Sequence, residues 1–134
     1  TNVIVALWEA DPALSAAAQS GLDSAFRDGG LVVCPVVFAE LMAAPTHDET
    51  FINGFFRDTG VQVDWSLDER VWRAAGTAFQ TYAIHRRKQR EPGPRRILAD
   101  FLIGAHAVHI GRRLLTLDDR FYSAAFPDLT LLVP

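Results

Sequence analysis

Three acids stand in apolar company, where a carboxylate is costly unless it has a partner. Ile97–Ile110 (ILADFLIGAHAVHI) holds one acid, Asp100, in a segment with no face polar enough to meet water. Glu40 follows the run LVVC inside PVVFAELMAA, where Val36, Val37, Ala43 and Ala44 are its apolar neighbours. Asp118 comes directly after LLTL, next to Asp119. Aspartate and glutamate are almost never fully buried unpaired, and burying a lone carboxylate costs several kcal/mol even after relaxation. Clustered carboxylates also repel, so without a cation some would hold a proton at neutral pH. A divalent ion removes both difficulties, and all-oxygen ligation selects Mg²⁺ or Mn²⁺ over zinc. Such a site suits phosphodiester hydrolysis, because the metal lowers the pKa of a bound water and stabilises the leaving oxygen.

The elements that must position these acids alternate between strand and helix. Thr1–Leu7 (TNVIVAL) fits a strand or a buried helical turn equally. Asp11-Pro12 reads as an N-cap with proline at the first helical position, opening a helix that ends near Gly29-Gly30. Leu31–Cys34 is a short β-branched run of the buried, parallel-sheet kind. Pro35 starts the Glu40 helix, which Pro45 stops, and a further helix covers about His47 to Arg57. Val61–Val63 is a second strand. Ser66 and Glu69 have the spacing of a capping box, launching a long helix toward Arg87 that Glu91-Pro-Gly-Pro breaks. After the Asp100 helix come strands at Leu114–Thr116 and Leu131–Val133, with a helical turn near Asp119–Ala125 between them. This order predicts one α/β domain over residues 1–134 with a mainly parallel sheet. Sites in such sheets gather beyond the C-terminal strand ends, where Glu40, Asp100 and Asp118 fall. The acids in DPALS, HDET and SLDE lie in turn-like surroundings and read as caps or solvated surface.

Bulk properties narrow the class. The 134 residues are 49% hydrophobic and 22% charged, near the average for globular proteins. No apolar run approaches the roughly 20 residues that span a bilayer. A single cysteine, Cys34, excludes an internal disulfide, suits a cytoplasmic setting, and reads as a small buried hydrophobe. Net charge is −3, but its distribution is uneven: residues 85–96 (HRRKQREPGPRR) hold six Lys/Arg and one acid. Elsewhere seven Lys/Arg face fifteen acids. The basic segment, with Arg86, Arg87, Lys88, Arg90, Arg95 and Arg96, could hold a polyanionic backbone near the acidic pocket; its alternative is a solvated helix end and loop. His106 and His109 lack the further ligands that zinc needs and read as structural or surface residues. No GxSxG, P-loop or GxGxxG is present.

TNVIVAL, CPVVFAELMAA, ILADFLIGAHA and LLTLDDRFY, in this order and spacing, resemble the PIN-domain ribonucleases, and in particular the VapC-type toxins of bacterial toxin–antitoxin modules. The resemblance covers essentially the whole chain, through the closing LTLLVP. It implies a PIN-like three-layer fold with a sheet of about five strands flanked by helices, and makes TNVIVAL the first turns of a helix. It also implies catalytic, metal-binding acids at Glu40, Asp100 and Asp118, holding one or two Mg²⁺ or Mn²⁺ ions to cut single-stranded or loop regions of RNA. Thr1 and Thr116 would orient metal-bound water or an acid. Homodimers and a cognate antitoxin covering the groove are further implications. Two departures stand out. The family pattern has a short central strand and an acid directly before the Thr-Asn pair, and this sequence starts at Thr1, so the expectation is that upstream residues are missing rather than that a signal peptide was cleaved. Some relatives carry another acid where Arg120 stands, for which Asp119 is a partial substitute at best.

Two other classes fit less of the sequence. A degenerate PIN-like module would bind RNA or protein without turnover. A receiver-like phosphoacceptor also groups acids at strand ends, but the only lysine, Lys88, lies in the basic segment.

Overall fold

The computed structural model describes residues 1–44, 47–89 and 96–134. Helix α1 (Asn2–Ala6) opens the chain, which resolves TNVIVAL in favour of helix. Asp11 caps α2 (Pro12–Gly29), accepting the Ala13 and Leu14 N–H groups at 2.9 and 3.2 Å. Strand β1 (Val32–Val33) leads through Cys34 into α3 (Pro35–Met42), with Pro35 in the first turn. Asp48 caps α4 (Glu49–Thr59) through the Phe51 N–H at 2.8 Å. Gly60 ends it at φ 71°, a left-handed conformation that glycine adopts without Cβ strain. Strand β2 (Gln62–Val63), α5 (Glu69–Gln89), α6 (Leu98–His109), β3 (Leu114–Leu115), α7 (Asp119–Ala125) and β4 (Leu131–Leu132) complete the order. Among the described residues, no helix is long and apolar enough to cross a membrane.

The expected capping box of α5 is not what forms. The Ser66 side chain is turned back onto Asp64, and Asp68 instead accepts the Arg70 and Val71 N–H groups at 2.8 and 3.2 Å. Asp68 stands immediately before Glu69, so its carboxylate reaches the first-turn amides with less chain than Ser66 would need.

Helix α6 is the centre of the molecule. Phe101 to Ala107 are buried without interruption, as expected of a helix with no polar face. Its most extensive contact is with α5. The Phe101 ring, fully buried, stacks on Phe79 at 4.6 Å and meets Phe121 edge-on at 5.3 Å. Burial of such a side chain contributes about 1.5–3 kcal/mol, so this aromatic group ties α5, α6 and α7 into one unit. Gly104 lets Phe126 lie directly against α6, because a Cβ there would overlap the ring.

All four strands pair in parallel, as the alternation of elements requires, but in two ribbons and not one sheet. β1 pairs with β2, Val32 opposite Gln62; β3 pairs with β4, Leu114 opposite Leu131. A cleft is lined by Val32 and Val33 of β1, Leu114 and Leu115 of β3, Val3 and Ile4 of α1, and Ile103 and Ala107 of α6. Of the expected sheet of about five strands, four short ones are seen among the described residues, and β1, β3 and β4 contribute apolar side chains to this cleft.

Candidate active site

Asp100 occupies the first turn of α6, where its Oδ2 accepts the Ile97 N–H at 3.2 Å. A carboxylate there satisfies one of the free amides at the helix start and faces the positive end of its dipole. Glu40 comes from the second half of α3, and the Thr1 hydroxyl donates to its Oε2. Asp118 follows β3 and caps α7, its Oδ1 accepting the Phe121 N–H at 3.3 Å.

The start of α1 joins these pieces. Thr1 reaches Glu40, while Asn2 Nδ2 donates to Thr116 Oγ1 at 3.3 Å and Asn2 Oδ1 accepts the Leu117 N–H at 3.4 Å. The buried Thr116 hydroxyl also accepts the Asp118 N–H at 3.0 Å, fixing the backbone that carries this acid. Thr1 and Thr116 thus each contact one of the three acids, one through its side chain and the other through its backbone.

Convergence of the acids is read at Tyr122, buried on α7. Burial pushes its hydroxyl pKa upward, and the negative charges of Asp100, Glu40 and Asp118 push it further, against Arg96. Cys34, buried at the end of β1, has its thiol pKa raised by burial, as expected for a structural cysteine.

The donor chemistry of this cluster fits a hard divalent cation: carboxylates and hydroxyls, all oxygen. The arrangement is not yet a ligand cage. Among the described residues, no three His, Cys, Asp or Glu lie close enough together to hold a metal ion. Asp118 has a cation of its own, since its Oδ2 pairs with Arg96 Nη1 at 2.5 Å. Arg96, grouped in the sequence with the residues that could hold a polyanionic backbone, pairs with one of the acids.

The remaining basic residues spread over the end of α5. Arg86 Nη1 donates to the Tyr82 hydroxyl at 3.1 Å, and Arg87 and Lys88 are exposed. Arg90 and Arg95 lie outside the described residues. Asp119 is exposed at the first position of α7.

Two residues escaped the sequence reasoning, Tyr122 in the field of the acids and Asp64 against His106. Tyr122 stands four residues after Asp118, one helical turn on, a spacing that brings side chains together. Asp64 follows β2 as Asp118 follows the β3 region, so the strand-end rule would have flagged it. It accepts from Ser66, and its Oδ2 lies 3.0 Å from the buried His106 Nε2. The Ser66 hydroxyl first, and His106 second, hold the Asp64 pKa at about 2. His109 pairs with Asp68 at 3.3 Å, so two histidines fasten the β2–α5 connection to the end of α6. Both play structural parts, in keeping with their expected role.

The PIN domain family model matches residues 1–127, nearly the full length. The chain belongs to the PIN domain family. PIN domains are generally nucleases with an α/β fold, act on RNA or DNA, and typically use divalent metal ions. None of the curated proteins searched matches the chain.

Proposed function

We propose that this PIN domain, as a single domain, is an Mg²⁺- or Mn²⁺-dependent endoribonuclease of the VapC toxin type, cytoplasmic, homodimeric and restrained by a cognate antitoxin. The observation that carries the proposal is that Glu40, Asp100 and Asp118, placed by α3, α6 and the β3–α7 junction, all act through their charge on the buried Tyr122 hydroxyl. A bound divalent ion would supply an activated water and offset charge on the leaving oxygen. Glu40, Asp100 and Asp118 would hold that ion and deliver negative charge to it. The Thr1 hydroxyl orients Glu40, and Thr116 orients Asp118 through its backbone. Tyr122, with its raised pKa, stays protonated throughout the neutral range and offers an O–H donor inside the cluster. Arg86, Arg87, Lys88 and Arg96, with Arg90 and Arg95, would draw the RNA backbone across the acids.

The cleft supports a fifth strand in this reading. We propose an extended segment between β1 and β3, parallel to both, that completes the sheet and carries a further acid beside Thr1. The apolar lining offered by Val32, Val33, Leu114 and Leu115 suits such a buried strand.

The test is cleavage of RNA by the chain with Mg²⁺, with a chelator, and with Asp100→Asn. The variant keeps the shape of the side chain and loses its charge. The expected loss is more than about 100-fold, since even groups that only orient a ligand are worth ten- to a hundredfold. Undiminished cleavage by Asp100→Asn removes the metal assignment. The pairing of Arg96 with Asp118, one of the three acids, also favours a second reading, a degenerate module that binds RNA without turnover. It is separated from the first by RNA binding that persists with no cleavage in either Mg²⁺ or Mn²⁺.

A further inference from the structure

Asp118 is the acid of the cluster whose two oxygens both have donors. Its Oδ1 accepts the Phe121 N–H at 3.3 Å and its Oδ2 the Arg96 guanidinium at 2.5 Å. Asp100 and Glu40 each engage a neighbour through one oxygen, Oδ2 and Oε2 respectively. We propose that Arg96 is a resident cation of this site, a positioning residue that holds Asp118 until a divalent ion takes its place.

Several features set this ion pair apart from a surface contact. Exposed pairs contribute little, and the other arginine pairs described are of that kind: Arg57–Asp58 and Arg73–Glu69 are two-thirds exposed or more on both sides, and Arg113–Asp28 about half. Arg96 and Asp118 retain 35% and 29% exposure. The Arg96 guanidinium also lies over the Phe121 ring, 4.4 Å from its centroid, and that ring is buried. The backbone is anchored as well, because the Arg96 N–H donates to the Tyr82 hydroxyl at 3.1 Å. Arg96 is therefore held by two elements, by α5 through Tyr82 and by α7 through Phe121.

A guanidinium stays charged at every working pH, so it cannot yield its place by losing a proton. It can yield only by moving. A divalent ion drawn to the same carboxylate repels it, and the two cannot share Asp118 Oδ2. Exchange of one cation for the other frees the guanidinium at the edge of the acids, where a phosphate can take it in the planar, two-point manner that arginine favours.

This inference rests on the cation-site reading of Glu40, Asp100 and Asp118, and the experiment separates the two. Mn²⁺ binding without RNA is measured by electron paramagnetic resonance for the unaltered chain, for Arg96→Gln and for Arg113→Gln. Arg96→Gln is expected to bind Mn²⁺ at least about fivefold more tightly, a coupling of ordinary size between mutually exclusive ligands, while Arg113→Gln matches the unaltered chain. Equal or weaker binding by Arg96→Gln overturns the inference and leaves the cation site standing. No Mn²⁺ binding by any of the three overturns both. If Arg96→Gln fails to fold, the unaltered chain decides: the Arg96 Nε–H signal in nitrogen-15 NMR must shift as Mg²⁺ is added, and a stationary signal overturns the inference.

Discussion

At the scale of single residues, the pair most open to measurement is Asp64 with His106. The folded state lowers the Asp64 pKa from 3.8 to about 2, so the carboxylate contributes stability that is complete above its unfolded pKa. That contribution is lost as pH falls from about 4 toward 2, where the folded protein too must accept the proton. Asp64→Ala should flatten this limb of the stability curve, measured by urea denaturation at several pH values. At neutral pH the same change should destabilise by roughly 1–3 kcal/mol, because it leaves the buried His106 ring without its partner. This pair was hidden from the sequence by the separation of its members, 42 positions apart. Asp100, by contrast, announced itself, because no apolar helix tolerates a carboxylate casually. The pairing of Arg96 with Asp118 was hidden for a related reason. A basic run looks solvated, and nothing in HRRKQREPGPRR distinguishes the arginine that the chain turns inward at the start of α6.

Elements were legible where their ends are chemical and blurred where they are merely spatial. Asp11-Pro12, the glycines after α2 and the proline at Pro35 marked their helices, and α2, α3 and α6 appear close to their expected bounds. The start of α5 was assigned to Ser66, whereas Asp68 does the capping. SLDE offers two oxygen-bearing side chains ahead of Glu69, and only the position of Asp64 draws Ser66 away. Asp68→Ala should therefore lower the unfolding free energy by about 1 kcal/mol, as loss of a helix cap does. Ser66→Ala should leave the α5 end intact and act through Asp64, so its effect should shrink when Asp64→Ala is already present. A double-mutant cycle in denaturant reads that coupling directly. The strands shrank to two residues each because hydrogen-bond partners, not β-branched composition, set their length.

For the whole molecule, the separation of signs matters more than the net charge of −3. A basic segment beside converging acids would let RNA binding be dominated by a few phosphate contacts, with an affinity that falls as salt rises. Each lost contact to single-stranded RNA lowers the slope of log affinity against log salt by about 0.7. Arg87→Gln with Lys88→Gln should thus flatten the slope by about 1.4 if both side chains touch the backbone, measured by fluorescence anisotropy over a range of salt concentrations. An unchanged slope would place the contact surface elsewhere. Fold class, and the elements that carry Glu40, Asp100 and Asp118, were legible from the alternation of strands and helices. The division of the sheet was not, because pairing between strands far apart in sequence leaves no local mark on either.

Two ribbons with no backbone hydrogen bond between them among the described residues have a dynamic signature. The β1–β2 amides of Gln62 and Asp64 and the β3–β4 amides of Leu114 and Thr116 each close their own short ladder. Their hydrogen exchange should report two opening events with separate free energies, since each ladder can part while the other stays shut. A peptide strand seated between them would bind them into one cooperative unit, and both sets of amides would then exchange together.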